Sequence, residues 1–353
     1  MLSASRCTGL FLLSCVTLVL ASCQPSPNTD INMPQVPQDP LVVPAGFPKP
    51  PVPANNPVTP VKVALGRSLF YATQLSRDGQ HSCASCHQLS ASFSDFGNAV
   101  SKGVFNETGT RNAPALMNVA YDTNFFWDGR ATTLEAQASK PILNPVELGS
   151  DSNTVIANLS NSAYYRELFA DAFGDQTITM PRIAQALATF ERTLISGSSA
   201  YDQFKLGDSS ALSPAAQRGL QLFTSKNVNC VACHSGINFT DNAYHSTGLD
   251  FQYEDEGRED VTGSPNDNGK FRTPSLRNIA LTSPYMHDGR FTTLQQVLDH
   301  YNEGGKHNST QDTLIHALQL TQPQMDDLIA FLQSLTDRSF VTRQDFTDPQ
   351  TIK

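Results

Sequence analysis

The hydrophobic pattern divides the chain into three regions. A continuous apolar run covers residues 10–20 and follows a single charged residue, Arg6. Between residues 24 and 60, 12 of the 37 positions are proline, a composition that excludes helix and central strand. Beyond residue 60, apolar positions recur at helical spacing in four segments: 61–71, 181–195, 215–223 and 323–335. Strand patterns are scarce, so the chain is predicted to be mostly α, with long loops containing Gly and Asn.

The first two regions indicate export followed by a tether. The apolar run is too short for a convincing membrane span and fits a secretory signal. It closes on Leu-Ala-Ser-Cys at residues 20–23, which resembles a bacterial lipobox. We therefore expect a lipoprotein signal peptide over 1–22 and a periplasmic protein that touches the membrane only through lipid on Cys23. Ordinary signal cleavage near the same position is the alternative. The segment 23–60 is predicted to be a Pro-rich tether of extended chain.

The predicted folded region contains two copies of one sequence unit. With a shift of 160, RNAPALMNVA at 111–120 falls on FRTPSLRNIA at 271–280, and WDGRATTL at 127–134 falls on HDGRFTTL at 287–294. Ten or more ungapped identities make chance a poor explanation. The fold class predicted is two domains related by internal duplication, an N-terminal one over 61–205 and a C-terminal one over 206–340. A tail over 341–353 follows.

Each copy begins with a CxxCH motif, which attaches a c-type haem. The two cysteines form thioethers with the porphyrin, and the histidine is held beneath the iron as an axial ligand. The motifs use four of the seven cysteines: Cys83, Cys86, Cys230 and Cys233. The other three lie in the signal and lipobox region, so no cysteine is left for a disulfide. We expect two covalent haems with His87 and His234 as ligands, so that the two duplicated domains are cytochrome c-like haem domains; a zinc or disulfide use of the cysteines is the alternative.

The opposite face of each haem decides whether a small molecule can bind. No histidine lies between His87 and His234, and Met117 is the only methionine of that stretch before residue 180. After each Asp-Gly-Arg, a capping box is predicted to start a helix, at Thr132 with Glu135 and at Thr292 with Gln295.

Positions 297 and 301 of the second helix share a face. Their counterparts in the first copy are Gln137 and Pro141. If that face lies against the haem in both copies, Tyr301 lies next to the second haem. Pro141, whose side chain has no donor atom, lies next to the first. The rival ligands for the second iron are His300, His287, Met286 and Met325.

Charge narrows the range of partners. The 353 residues carry a formal charge of −9 and contain no basic stretch, so nucleic acid is not expected as a partner. An acidic surface weakly favours a docking protein with a basic contact face.

The motifs resemble those of the bacterial di-haem cytochrome c peroxidases and the related enzyme MauG, over residues 57–335. They are the two CxxCH, RNAP, FFWDGR, LEAQA, NPVELG, PYMHDG and the last helix. The resemblance implies that the N-terminal haem binds hydrogen peroxide and the C-terminal haem stores or relays electrons, with Trp127 between them. It places the distal carboxylate at Glu147, as the acid–base group, and the distal glutamine at Gln137. It also implies one calcium ion, held by the Asn112 side chain and the carbonyls of Thr282 and Pro284; Asn112 making a turn is the alternative.

Two departures from the peroxidase branch are informative. The histidine that caps the active haem in that branch is Gly103 here, and its methionine ligand is Tyr301, where MauG has a tyrosine. The resemblance thus suggests an enzyme that is ready without reductive activation. Three functions remain open: a peroxidase fed by a small cytochrome or copper protein, a MauG-like oxidase of a protein substrate, and a non-enzymatic di-haem electron carrier.

Overall fold

The computed structural model describes residues 37–350. The signal peptide and the proposed lipidation site at Cys23 lie outside the described residues. The helices are α1 Pro60–Phe70, α2 Cys83–Cys86, α3 Leu134–Ala138, α4 Lys140–Leu143, α5 Ser152–Ser160, α6 Ala163–Phe173, α7 Met180–Glu191, α8 Ala200–Lys205, α9 Pro214–Phe223, α10 Glu259–Thr262, α11 Leu294–Glu303 and α12 Gln322–Ser334. Strands β1 (Tyr244–His245) and β2 (Phe271–Arg272) pair antiparallel, with Tyr244 opposite Arg272. None of these described helices is long and apolar enough to cross a membrane.

The four long helices predicted from the apolar spacing are present and start at Ser or Thr caps. Thr59 Oγ1 accepts a hydrogen bond from the Lys62 amide, and Ser213 Oγ accepts one from the Ala216 amide. A proline follows each cap at the first helical position, where its missing N–H leaves no unpaired donor. α7 starts from Thr179 and α12 from Thr321 in the same manner, with the proline one position further on.

Each copy is built on a close crossing of its first and last long helices. α1 crosses α7 at Gly66, where a Cβ would lie 1.9 Å from the carbonyl oxygen of Ala186. α9 crosses α12 at Gly219, where a Cβ would lie 1.9 Å from the carbonyl oxygen of Asp327. Only glycine permits this approach. Phe190 and Phe331 follow at the same place in each crossing and anchor two separate hydrophobic cores.

A buried asparagine repeats the same junction in both copies. The Asn118 amide donates to the Leu194 carbonyl, and its Oδ1 accepts from the Ser196 amide at 2.8 Å. The Asn278 amide donates to the Leu335 carbonyl, and its Oδ1 accepts from the Asp337 amide at 2.7 Å. The matching backbone geometry supports the internal duplication inferred from the repeat.

The described part of the predicted tether, residues 37–60, contacts the body at several points, and Pro40 and Pro50 are buried. The Tyr121 hydroxyl donates to the Pro48 carbonyl at 3.0 Å, and the Arg277 guanidinium lies 4.6 Å from the centre of the Phe47 ring. Proline excludes regular structure, but extended chain can still bury its rings against a neighbouring surface.

The described end of the chain returns to the first core. Phe340 and Phe346 are buried among the side chains of that core. The Arg67 side chain donates to the carbonyls of Gln344 and Thr347, and the Tyr71 hydroxyl donates to the carbonyl of Phe346 at 2.7 Å. The segment after residue 339 thus completes the N-terminal half. The predicted boundaries instead assigned residue 340 to the C-terminal domain and the residues from 341 onward to a tail.

Candidate active site

The two CxxCH histidines are held in the same way. The His87 amide donates to the Cys83 carbonyl at 2.9 Å, and the His234 amide donates to the Cys230 carbonyl at 2.8 Å. Nδ1 of His87 donates to the Phe93 carbonyl at 2.8 Å, and Nδ1 of His234 to the Phe239 carbonyl at 2.9 Å. A backbone carbonyl on Nδ1 fixes the tautomer that presents Nε2 to a metal. Both rings therefore have the tautomer that the predicted iron ligands need.

The second centre is a cavity lined by Cys230, Cys233, His234 and Tyr301. Arg272 lines it too, and its buried Nε has no hydrogen-bond partner among the described residues. An unpaired guanidinium donor is costly unless an anionic group meets it, and the carboxylates of a haem are such groups. The cavity therefore fits a c-type haem. Arg272 was not predicted as a haem-site residue from the sequence, although the repeat aligns it with Asn112, another candidate site residue.

Tyr301 lies on α11 and faces this cavity. Its hydroxyl makes no hydrogen bond to any described residue, and burial raises its pKa, with the Cys230 and Cys233 thiols adding to the shift. The hydroxyl is therefore free to bind a group held in this cavity.

The rival ligands separate into two groups. His300 Nε2 donates to the Thr247 carbonyl at 3.0 Å, and Met325 is buried in the second core with its sulfur near Gln295. Neither lines the cavity. Met286 and His287 do line it, and the His287 ring stacks on Phe271 with 3.7 Å between centroids.

At the first centre, Glu147 is half-buried close to the attachment cysteines. Burial raises the pKa of Glu147, and hydrogen bonding from Asn144 and attraction to Arg130 oppose that shift. Asn144 Nδ2 donates to its Oε1 at 2.5 Å. The charge of Glu147 also contributes to the raised pKa of the Cys83 and Cys86 thiols, although burial is the largest cause in both. Glu147 is thus a partly buried carboxyl with a raised pKa whose charge reaches the attachment cysteines.

Gly103 packs directly against the backbone of Glu147. A Cβ at this position would lie 2.3 Å from the Val146 carbonyl oxygen and 2.4 Å from that of Glu147. The neighbouring Val104 amide donates to the Glu147 carbonyl at 2.9 Å, which fixes the contact. No side chain fits at residue 103 unless the Glu147 segment moves, so this position cannot supply a ligand.

The helix that carries Tyr301 in the second copy is broken in the first. α3 ends at Ala138, and Ser139 separates it from α4, where Pro141 is the second residue. Proline has no N–H to donate to Gln137 and its ring crowds the preceding turn, so a continuous helix is unfavourable here. Oε1 of Gln137 is buried without a hydrogen-bond partner among the described residues. An orphan buried acceptor of this kind fits a site for a small polar molecule.

The predicted capping boxes are displaced by one residue. The caps are Thr133 and Thr293, not Thr132 and Thr292. In the second copy, Gln296 accepts from the Thr293 amide at 3.1 Å and completes the box. The first copy has alanine at the matching position, and Glu135 instead pairs with Arg192 at 2.7 Å.

Trp127 lies at the boundary of the two copies. Its Nε1 donates to the Asn112 carbonyl at 2.8 Å, and the Asn112 amide donates to the His287 carbonyl at 2.7 Å. Its own carbonyl accepts from the Arg272 amide at 2.7 Å, and its side chain lines the second cavity. The indole is therefore held through Nε1, and the backbone of the same residue is held by the second copy.

The three residues expected to bind calcium line one cavity: Asn112, Thr282 and Pro284. Asn112 Nδ2 donates to the carbonyls of Asn98 and Ala99 at 3.2 and 3.1 Å. These bonds orient the amide and leave Oδ1 as a free acceptor. Because the amide binds residues 13 and 14 positions away, Asn112 does not make a local turn.

Comparison with known proteins places the chain in a family. A family model for di-haem cytochrome c peroxidase matches residues 60–210, and one for cytochrome c matches residues 216–336. Methylamine utilization protein MauG of Methylorubrum extorquens is 41% identical over 308 residues, covering 84% of this chain and 85% of that protein. The chain belongs to the di-haem cytochrome c peroxidase and MauG family.

Members of both branches are similar to this chain. Cytochrome c551 peroxidase of Nitrosomonas europaea is 36% identical over 296 residues, which cover 80% of this chain and 85% of the peroxidase. The crystal structure of a MauG-like protein associated with microbial copper homeostasis is 36% identical, with a TM-score of 0.83, over 87% of this chain and 98% of that one. Family membership confirms the mostly helical two-domain fold, the two c-type haems and an oxidoreductase that acts on peroxide.

The family also bears on the zinc alternative. Among the described residues, Cys233, Asp241 and His245 lie close enough to bind a metal ion. A thioether to haem consumes the Cys233 thiol, however, and leaves only two of the three ligands.

Proposed function

We propose that this protein reduces hydrogen peroxide at the His87 centre, drawing electrons through the His234 centre, and that it does so without prior reduction. The observation that carries the proposal is the packing of Gly103 under the Glu147 backbone. It removes the position from which the peroxidase branch supplies a capping histidine. Pro141 likewise brings no donor where the second copy has Tyr301.

A haem bound here would supply a ferric iron able to hold one oxygen of the peroxide. Glu147 takes the proton from that near oxygen and delivers it to the far one, so that the far oxygen leaves as water when the O–O bond breaks. Its raised pKa suits this exchange, and a positioned acid–base group contributes about 10²–10⁴-fold to such a step. The orphan Oε1 of Gln137 accepts a hydrogen bond from the peroxide and orients it.

Trp127 would pass oxidising equivalents between the two centres, and the Tyr301 hydroxyl would be the residue that binds the second iron. An oxygen ligand from tyrosine favours the oxidised state of the iron to which it binds. The second centre would then hold oxidising equivalents rather than compete for peroxide.

A MauG-like oxidation of a partner protein is the second candidate, favoured by Tyr301 and by the relatives named MauG. Two assays on the holoprotein separate the candidates. Rapid peroxide-dependent oxidation of a reduced small cytochrome c or cupredoxin supports the peroxidase. Slow turnover with both donors, together with peroxide-dependent mass changes on a co-purified partner, supports the oxidase. Inertness in both assays would leave the electron carrier.

We also propose one calcium ion bound by Asn112 Oδ1 and the carbonyls of Thr282 and Pro284, since oxygen ligands of this kind suit calcium. Metal analysis of the purified protein should give one calcium per chain, and Asn112→Ala should lower that amount. Equal calcium in both proteins would refute the site.

A periplasmic location with lipid on Cys23 remains a proposal from the sequence. Cys23→Ala should release the protein from the membrane fraction and abolish labelling by a radioactive fatty acid. Labelling that survives the substitution would contradict it.

A further inference from the structure

A buried acid stands at the C-terminal end of α7. Glu191 is 5% exposed, and its Oε2 has no hydrogen-bond partner among the described residues. Burial raises its pKa to about 8, with attraction to Arg192 opposing the shift and repulsion from Glu135 adding to it. A carboxyl that is buried without a partner is costly to the fold, and the reaction proposed above does not use it.

Glu191 follows Phe190, whose ring centre lies 6.4 Å from that of Phe93, the residue whose carbonyl holds the His87 ring. Burial and then the charge of Glu191 are the largest causes of the raised pKa of the Cys83 thiol. Cys83 is the residue through which one edge of the haem is bound. The carboxyl is therefore near enough to that edge for its charge to influence the iron.

The second copy has a hydrocarbon at this position. Phe190 and Phe331 occupy the same place in the two helix crossings, so the next residues, Glu191 and Leu332, are counterparts. Leu332 lines the cavity that holds Cys230, Cys233 and His234. The duplication thus gives one haem an acid where the other has leucine.

The cationic side chains on α7 and on the helices packed against it hydrogen-bond to groups other than Glu191. Arg192 is paired with Glu135 on α3 through two hydrogen bonds of 2.7 and 3.0 Å. On α1, Lys62 donates to Asn56 Oδ1, and Arg67 donates to the carbonyls of Gln344 and Thr347. Glu147 is the other carboxyl whose charge reaches Cys83.

We propose that Glu191 couples proton uptake to electron uptake at the His87 centre. When the ferric iron receives one electron from a donor, the Glu191 carboxylate takes one proton from solvent; when the electron leaves, the proton is released. No other bond forms or breaks. The coupling is reciprocal: an ionised Glu191 stabilises the ferric iron and lowers its reduction potential, and reduction of the iron raises the affinity of Glu191 for a proton. The proposal rests on the covalent haem at Cys83 and not on which substrate is oxidised.

The test is a spectroelectrochemical titration of the full-length holoprotein with both haems loaded, from about one pH unit below the pKa of Glu191 to about one unit above it. In the wild type, the potential of the first haem should fall as pH rises through this window. Glu191→Gln should raise that potential at the alkaline end and flatten its pH dependence, leaving the second haem unchanged. Glu191→Asp should keep a pH dependence, because it keeps an ionisable group.

Two controls isolate the effect. Glu167→Gln, on the exposed face of α6, makes the same change of charge far from the packed core and should leave both potentials as in the wild type. A repeat in a Glu147→Gln background removes the contribution of the other carboxyl. A Glu191→Gln protein that retains the wild-type pH slope at the first haem, or that shifts both haems equally, would overturn the proposal. Peroxide turnover is not part of this readout, so its loss and the loss of coupling are distinguishable.

Discussion

The two halves of this protein share a scaffold and differ where each meets its haem. The glycine crossings, the asparagine junctions and the carbonyl-bound histidines repeat in both. The substitutions fall at the haems: Pro141 for Tyr301, Trp127 for His287 and Glu191 for Leu332. One scaffold can therefore hold a reactive iron and a closed iron, because the helix crossing sets the fold while a few side chains around the cofactor set the chemistry.

The largest expected effect concerns the acid–base group of the first half. Glu147→Gln should lower peroxide turnover by about 10²–10⁴-fold, because the amide cannot carry the proton. Steady-state kinetics with a reduced cytochrome donor measure it, with absorption spectra verifying that both haems are loaded. Glu167→Gln is the matched control and should behave as wild type. Full turnover in Glu147→Gln would remove the acid–base role.

The next effect concerns the closed iron of the second half. Tyr301→Phe should change the absorption and electron paramagnetic resonance spectra of the second haem only, because it removes the oxygen ligand and keeps the ring. Tyr285 lines the same cavity, but its hydroxyl donates to the Ile279 carbonyl at 3.1 Å, so Tyr285→Phe should leave the spectra unchanged. An unshifted, six-coordinate second haem in Tyr301→Phe would point to Met286 or His287 instead.

The relay between the halves gives a smaller effect. Trp127→His gives the first copy the residue that the second copy has at this position, and it replaces the indole with a smaller ring. Electron transfer from the second centre to the first should slow in stopped-flow mixing of the reduced protein with peroxide, while peroxide binding is retained. Transfer at the wild-type rate would show that electrons take another path.

The smallest effect concerns the shared scaffold. Gly66→Ala and Gly219→Ala each force a Cβ into a carbonyl of the facing helix, and overpacking of this kind costs about 1–3 kcal/mol. Thermal unfolding should show a drop of roughly 2–4 °C for each kcal/mol in a protein domain of about 150–250 residues. Gly109 has open space around its Cβ position, so Gly109→Ala should unfold as wild type. Equal stability of all three variants would mean that the crossings are looser than described.

Local sequence signals predicted the helices and haem attachments well. Ser or Thr followed by proline identified the starts of α1 and α9, and CxxCH identified two histidines whose rings are held alike, because each of these features acts over a few residues. The repeat went further and identified the position of Tyr301 on the helix facing the second cavity.

Features decided by tertiary packing were not predictable in this way. A proline-rich composition does not say whether residues 37–60 extend into solvent or lie on the body, and the return of Phe340 and Phe346 to the first core depends on contacts over 250 residues away in the chain. From the sequence, Glu191 is indistinguishable from an exposed polar residue of an amphipathic helix. Its burial and its effect on Cys83 are visible only in the folded structure.

The most direct measurement is the absorption spectrum of the fully oxidised protein upon addition of one equivalent of hydrogen peroxide, without a reductant. The account predicts an immediate change at the first haem, because Gly103 and Pro141 leave its outer face open while Tyr301 occupies that of the second. A spectrum that stays unchanged until a reductant is supplied, with both ferric centres low-spin, would contradict it.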